Sequence, residues 1–150
     1  MKIEEKINES IKDSMKKKDN LRLDSLRAIK SAILIEKTKS GSKNQIDESL
    51  ILKILQKMVK QRNDSAKIYL EQKRDELANV EISQANIISE FLPAQLSESD
   101  LSEIIDKVII DIGAESMKDM GKVISGVSEK VSGQAEGRLI AEIAKRKLMS

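Results

Sequence analysis

Apolar residues recur every three or four positions along most of the chain, and this spacing places them on one face of an α-helix. Four such stripes precede residue 93. The first two consist of Ile3, Ile7, Ile11 and Met15, and of Leu21, Leu23, Leu26, Ile29, Ile33 and Leu34. The next two consist of Leu50, Ile51, Ile54, Leu55, Met58 and Val59, and of Leu77, Val80, Ala85, Ile88, Phe91 and Leu92. The pattern predicts an N-terminal region of about four helices.

Pro93 marks the clearest boundary, because it is the single proline and the residue before a proline is disfavoured in a helix. Further helical stripes follow it. They consist of Leu101, Ile104, Ile105, Val108, Ile109 and Ile112, then Met120, Val123, Ile124 and Val127, and finally Leu139, Ile140, Ile143 and Leu148. We therefore predict an all-α fold, with an N-terminal helical domain at residues 1–93 and a compact three-helix C-terminal module at residues 97–150.

Polar residues with short side chains mark the predicted helix ends. The predicted N-caps are Asp47, Asp75, Ser97 and Ser116. Ser116 is followed three residues later by Asp119, which is the spacing of a reciprocal capping box. Gly113 suits the position after a helix C-terminus, where the backbone is often left-handed. Residues 40–45 (SGSKNQ) have the composition of a loop, and residues 72–75 (QKRD) indicate a break.

The chain has no cysteine and no histidine, which removes several kinds of chemistry. A structural zinc site of the usual kind needs thiolate or imidazole ligands, and catalysis by Cys–His or Ser–His pairs needs the same residues. No pair of carboxylates stands out for proton transfer. We therefore expect no catalytic residues, no metal and no cofactor. The two aromatic residues, Tyr69 and Phe91, are too few to build a platform on which bases could stack.

The N-terminal stretch MKIEEKINESIKDSMKKK has acidic residues at every turn, unlike a signal peptide or a transit peptide. No apolar run approaches the roughly 18–20 residues of a membrane span, so no membrane partner is expected. From these features we predict a cytoplasmic protein.

Charge is spread unevenly although the net charge is only +2. Residues 1–39 carry 11 basic and 7 acidic groups, a net charge of +4, and residues 97–115 carry 1 and 6, a net charge of −5. Residues 116–150 carry 7 and 4, a net charge of +3. The two basic segments could attract a polyanion, although a solvated helical surface also explains such lysines.

Four of the six glycines fall between Met117 and Arg138, in a part of the chain that otherwise reads as helix. A glycine inside a helix costs about 1 kcal/mol relative to alanine, so a compensating role is expected. One interpretation is a close helix crossing. The other is exposed main chain that a nucleic-acid backbone approaches, beside basic side chains. On the second interpretation, the candidate RNA-binding residues are Lys118, Gly121, Lys122, Gly133, Gly137, Arg138 and Lys145.

Five stretches resemble the GatB/YqeY family. They are LRLDSLRAIKSAI (21–33), LQKMVKQRNDSAKIY (55–69), FLPAQLSESDL (91–101), GAESMKDMGKVI (113–124) and GQAEGRLIAEIAKRKL (133–148). The family joins stand-alone YqeY-like proteins with the C-terminal tail of the B subunit of the glutamine-dependent aminoacyl-tRNA amidotransferase. The resemblance implies an all-α protein of two parts, whose C-terminal module is similar to a tail that contacts tRNA.

Three hypotheses about function follow from the residues and the resemblance together. The first is a non-catalytic accessory protein that binds tRNA, or a complex of tRNA with the amidotransferase or an aminoacyl-tRNA synthetase, through its C-terminal module. The second is a helical protein–protein adaptor that makes no contact with RNA. The third, suggested only by the family name, is participation in glutamine-dependent amidotransferase activity, which is a carbon–nitrogen ligase reaction.

Overall fold

A computed structural model describes residues 2–40 and 46–149; the predicted loop at 40–45 therefore lies almost wholly outside the described residues. Every regular element in the described ranges is helical, which confirms the predicted all-α fold. The helices are α1 (Ile3–Lys17), α2 (Asn20–Ser40), α3 (Glu48–Glu71), α4 (Asp75–Ser89), α5 (Glu98–Ile112), α6 (Met120–Lys130) and α7 (Gly137–Met149). A 3₁₀ turn, Met117–Asp119, precedes α6.

The chain divides into two compact units, Met1–Leu92 and Pro93–Ser150, called here the N-terminal and C-terminal units. The sequence-based boundaries leave residues 94–96 between the two domains. In the structure this stretch belongs to the C-terminal unit and is joined by hydrogen bonds to the turn before α7. The backbone N–H of Leu96 donates to the carbonyl of Gln134 at 2.9 Å, and the Gln95 side chain donates to the carbonyl of Gly133 at 2.8 Å.

Several predicted helix ends form as expected. The Asp47 carboxylate accepts a hydrogen bond from the N–H of Ser49, and the Ser97 hydroxyl accepts one from the N–H of Asp100. These bonds satisfy backbone donors that have no partner within the helix. Gly113 ends α5 with a φ of 67°, a left-handed conformation that glycine adopts without steric cost.

The predicted break between α3 and α4 is present, but Asp75 does not cap α4. Arg74 holds the N-cap position without a capping side chain, and Asp75 is the first helical residue. The chain reverses through Lys73, which has a φ of 60°. The N–H of Arg74 then donates to the carbonyl of Tyr69 at 2.8 Å, and this bond satisfies one of the last carbonyls of α3.

In the N-terminal unit, α3 packs along α4, while α2 contacts α1, α3 and α4. Its buried core consists of Ile3, Ile7, Leu26, Ile29, Ile33, Ile51, Leu55, Met58 and Ile88. Four residues of the predicted stripes are instead exposed: Met15 (54%), Leu21 (40%), Leu34 (63%) and Val80 (45%). Leu34 directly follows the buried Ile33, and successive helical residues point about 100° apart, so both cannot face one core.

In the C-terminal unit, α5, α6 and α7 pack against one another. The buried core consists of Leu101, Ile105, Val108, Val123, Val127, Val131, Ala135, Ile140, Ile143, Ala144 and Leu148. Each helix contributes one stripe at a spacing of three and four residues, as the sequence predicts. These stripes set which faces of α6 and α7 remain open to solvent.

Candidate nucleic-acid interface

The entrance to α6 is fixed by a complete capping box, as Ser116 and Asp119 predict. The Ser116 hydroxyl accepts a hydrogen bond from the N–H of Lys118 at 3.4 Å. In return, the Asp119 carboxylate accepts from the N–H of Ser116 at 3.4 Å and from the N–H of Glu115 at 2.9 Å. The sequence predicts a single helix from Met117, whereas this first turn is 3₁₀ and the α-helix begins at Met120.

The Asp119 carboxyl is held in its charged form. The N–H groups of Glu115 and Ser116 bind the carboxylate and lower its pKa, and the positive charges of Lys122 and Lys118 lower it further. The two lysines therefore lie close enough to Asp119 to affect its charge. The capping box thus determines the backbone position of Lys118 and of the first turn that carries Lys122.

Gly121 is the second residue of α6 and opens onto solvent. Among the described residues, no atom beyond its own helix lies within 4 Å of the point that a Cβ would occupy. Lys118, Gly121, Lys122 and Ser125 follow one another at spacings of three, one and three, and all four are exposed. Gly121, Lys122 and Ser125 form the exposed face of α6, whose inner face carries the buried Val123 and Val127, and Lys118 lies in the 3₁₀ turn just before it.

Gly126, which was not among the predicted residues, is the glycine at the helix crossing. A Cβ placed there would lie 3.1 Å from Cγ1 of Val108 on α5, which is closer than an ordinary van der Waals contact. The sequence contained a signal for this role. Gly126 comes three residues after Val123 and directly before Val127, which places it on the buried side of α6.

Gly133 is buried, so it does not present open main chain as the RNA-contact interpretation supposes. Its φ of 77° is the left-handed conformation that favours glycine. Its carbonyl accepts the hydrogen bond from the Gln95 side chain. Gly133 therefore shapes the turn before α7 and anchors the stretch that leads into α5.

Gly137 and Arg138 begin α7, and both are exposed. No described atom beyond its own helix and its chain neighbours lies within 4 Å of a Cβ placed at Gly137. The Arg138 guanidinium pairs with Glu142 one turn later, at 3.4 Å between Nε and Oε1. Gly121 lies in the first turn of α6, whereas Gly137 begins α7.

The cations near the end of α7 divide into two kinds. Arg146 binds Glu98 at 3.1 Å and Lys147 binds Asp106 at 2.7 Å, so both are engaged with acids of α5. Lys145 is in no salt bridge with a residue that the structure describes. It is exposed and follows Arg138 by seven residues, or about two turns, which places it on the same side of α7.

The predicted residues therefore fall into three groups. Lys118, Gly121 and Lys122 lie at the start of α6 and in the 3₁₀ turn before it, Arg138 and Lys145 share the outer side of α7, and Gly133 lies inside the unit. In the described residues, no cluster of His, Cys, Asp or Glu could hold a metal ion. No described helix is both long and apolar enough to cross a membrane.

Both units of the chain match a known protein family. The family model described as "Yqey-like protein" matches residues 4–148. This chain belongs to the YqeY-like family. The match includes α6 and α7, so the exposed residues of these two helices lie within the part of the chain that the family model covers.

Curated relatives of this YqeY-like chain come from yeasts. It is 30% identical over 122 residues to "Altered inheritance of mitochondria protein 41, mitochondrial" of Clavispora lusitaniae, a match that covers 81% of this chain and 69% of that protein. Proteins of the same name match in Meyerozyma guilliermondii (33% identity, 68% and 52% of the two chains) and Candida glabrata (31%, 57% and 47%). The chain thus spans about half the length of the last two.

The predicted cytoplasmic location is wrong in the light of these relatives, which are all named as mitochondrial proteins. The prediction relied on the acidic residues of the N-terminal stretch. In the structure those residues belong to α1, where Glu4 pairs with Lys37 of α2 at 2.9 Å. The stretch is part of a folded helix, so its composition reflects packing and solvation and carries no information about compartment.

Proposed function

We propose that this YqeY-like protein is a non-catalytic accessory factor that binds tRNA, alone or in a complex with an amidotransferase or an aminoacyl-tRNA synthetase, through the outer surface of α6 and α7. The observation that carries the proposal is the opening at Gly121. Bare main chain there is exposed in the first turn of a helix, with Lys118 and Lys122 on either side.

The charges of the C-terminal unit support this surface over others. Within the described residues, Lys118, Lys122 and Lys145 are in no salt bridge, whereas Arg146 and Lys147 are bound to acids of α5. A lysine without a carboxylate partner can neutralise a phosphate and release its counterions. Helix α5 also has two exposed acids in no described salt bridge, Asp100 and Glu103, which would repel RNA and so orient it toward α6 and α7.

The chemistry of the site favours backbone recognition. Helix α6 offers amine groups and open main chain, and the C-terminal unit has no aromatic side chain on which a base could stack. Contacts of this kind fix the position of the RNA and read its shape, so the affinity is expected to depend strongly on salt.

The test is a mobility-shift titration of the full chain with tRNA at low and moderate salt. Lys122→Gln removes one candidate phosphate contact, and the slope of log affinity against log salt is expected to fall by about 0.7 to 0.9. Lys107→Gln is the matched control, because Lys107 is also exposed but lies on the acidic helix α5. Its slope is expected to match that of the unmodified protein.

Two results would contradict the proposal. The first is the absence of tRNA binding even at low salt. The second is an equal loss of affinity in Lys122→Gln and Lys107→Gln, because attraction would then depend only on net charge and not on the α6–α7 surface. Circular dichroism of both variants checks that the helical content is unchanged.

A further inference from the structure

The chain turns sharply between α1 and α2, and hydrogen bonds fix the turn. The N–H of Lys18 donates to the carbonyl of Met15 at 3.3 Å, and the N–H of Asp19 donates to the carbonyl of Ser14 at 3.0 Å. Lys18 has a φ of 57°, the left-handed conformation that commonly follows a helix C-terminus. The side chains at this turn therefore stand on a defined backbone, in a unit that does not contain the α6–α7 surface proposed above.

The turn carries more positive than negative charge, and its acids already have partners. Residues 12–21 contain four basic and two acidic groups, a net charge of +2. Asp13 binds Lys17 at 3.1 Å, and the Asp19 carboxylate accepts a hydrogen bond from the N–H of Arg22 at 3.2 Å. Three exposed lysines are in no salt bridge with the described parts of the chain and so remain available to a ligand; they are Lys12, Lys16 and Lys18.

An exposed methionine lies among these lysines. Met15 and Lys16 follow Lys12 by three and four residues, so the three side chains share one face of α1. Met15 is 54% exposed, whereas Ser14, the residue before it, is buried. Leu21, in the first turn of α2, is 40% exposed. The turn thus presents aliphatic side chains together with unpaired cations.

This combination of side chains decides between classes of ligand. A nucleic-acid backbone offers phosphates to the lysines but nothing apolar to Met15 and Leu21. An amphipathic helix of a partner protein docks by placing its apolar side chains in a groove, whereas here the apolar side chains stand at a turn. The surface of an anionic bilayer supplies negative headgroups and, beneath them, an apolar phase, and it requires no groove.

We propose that the α1–α2 turn binds the surface of a bilayer that contains anionic lipids. Lys12, Lys16 and Lys18 lie at the headgroups, while Met15 and Leu21 reach the boundary with the acyl chains. Contact of this kind stays at the bilayer surface and needs no helix that spans it, so the lack of a long apolar run in the sequence does not oppose it. Each lysine multiplies the affinity about fivefold, which gives weak and reversible binding.

The first test is sedimentation of the full chain with lipid vesicles. One set of vesicles consists of phosphatidylcholine alone, and the other of phosphatidylcholine and phosphatidylserine in a ratio of about two to one. The protein is expected to sediment with the anionic vesicles at low salt and not with the neutral ones. Added salt is expected to release it, because ions screen the attraction between the lysines and the headgroups.

Two lysines of the same unit provide a matched pair of variants. Lys16→Gln removes a charge at the turn and is expected to weaken binding to anionic vesicles about fivefold. Lys39→Gln removes the same charge from an exposed lysine that lies about 27 Å beyond Leu21 along α2, farther than a Debye length. This control is expected to bind within about twofold of the unmodified protein.

Variants at exposed aliphatic residues test the apolar part of the contact. Met15→Asp places a negative charge among the lysines and is expected to weaken binding about tenfold or more. Leu34→Asp makes the same change at a residue that is 63% exposed but lies about 20 Å beyond Leu21 along α2. Its binding is expected to stay within about twofold of that of the unmodified protein.

Methionine methyl signals report the contact directly. In bicelles of the same anionic composition, a nitroxide-labelled lipid is expected to broaden the methyl signal of Met15. Met149 of α7 is the internal control, because it is 66% exposed and lies outside the turn. Its signal is expected to keep its width.

Three outcomes would overturn the proposal. The first is no sedimentation with anionic vesicles even at low salt. The second is an equal loss in Lys16→Gln and Lys39→Gln, because binding would then depend on net charge and not on the turn. The third is a loss of tRNA affinity in Lys16→Gln as large as that in Lys122→Gln, with normal vesicle binding by Met15→Asp, which would assign the turn to RNA. Vesicle binding is measured without tRNA, so either proposal can fail while the other holds.

Discussion

The two faces of α6 use the same residue type for opposite purposes. On the inner face, Gly126 allows α5 to approach until Cγ1 of Val108 would lie 3.1 Å from an added Cβ. On the outer face, five residues earlier, no described atom beyond its own helix lies within 4 Å of a Cβ added at Gly121, which falls between two exposed lysines in the sequence. The missing side chain brings two helices together at one position and leaves main chain accessible at the other.

The basic residues of the C-terminal unit show the same division. Lys130, Arg146 and Lys147 each face a carboxylate of α5, and these pairs join α6 and α7 to the acidic helix. Lys118 and Lys122 face solvent at the start of α6. Composition alone gives one net charge for the segment, whereas the structure separates the cations that hold the unit together from those available to a ligand.

The largest effect is expected from leucine at the two glycines of α6. Gly126→Leu forces a bulky group against Val108 and is expected to lower the free energy of unfolding by about 1–3 kcal/mol. Gly121→Leu adds a better helix former in open space and is expected to raise it by about 0.5–1 kcal/mol. Chemical denaturation of both variants measures the difference, which has opposite signs at the two sites.

The same pair of variants also separates stability from binding. Gly121→Leu is expected to weaken tRNA binding although the protein becomes more stable, because the side chain covers the open main chain. Gly126→Leu, measured at a temperature where it stays folded, is expected to bind tRNA normally. Loss of stability in both variants would mean that Gly121 is also a packing glycine, which would contradict its assignment to an open face.

Periodicity predicted the helices and most of their buried faces because burial repeats with the helix period. It could not separate the roles of the glycines, because the period gives the side of a helix but not what lies opposite. The spacing places Gly126 on the side of Val123 and Val127, but only the structure shows that Val108 lies opposite Gly126. The role of Gly133 depends on its φ of 77° and on the hydrogen bond that its carbonyl accepts from the Gln95 side chain, 38 residues away in the chain. Periodicity predicts neither feature.

The exposed end of the α1 stripe shows a second limit. Ile7 and Met15 are equivalent in the sequence pattern, yet one is buried and the other is half exposed. The buried position nearest Met15 is instead Ser14, a small polar residue that periodicity does not select. Which end of a stripe is covered depends on where neighbouring helices cross it, and that information lies in distant parts of the chain.

A smaller effect is expected where the cations are paired. Arg146→Gln breaks the ion pair with Glu98, but both side chains are about two-thirds exposed, at 66% and 63%. Pairs this exposed contribute about 0.2–1 kcal/mol, so the free energy of unfolding should fall by no more than that. Binding of tRNA should change less than in Lys122→Gln, although both variants lose one positive charge. A larger loss of tRNA affinity in Arg146→Gln would place the RNA on the α5–α7 side.

The smallest effect concerns acid pH and the capping box that positions Lys118 and Lys122. Because bound N–H groups and the two lysines lower the pKa of Asp119 in the folded protein, this carboxylate stabilises the fold above its unfolded pKa of about 3.9. That contribution is lost as pH falls through the lower, folded pKa.

Asp119→Asn keeps an acceptor of the same shape but has no charge. The difference in unfolding free energy between the unmodified protein and Asp119→Asn should therefore be constant near neutral pH and shrink toward pH 3. A difference that persists unchanged in acid would mean that the Asp119 charge does not hold the first turn, and Lys118 would then be positioned by the Ser116 hydroxyl alone.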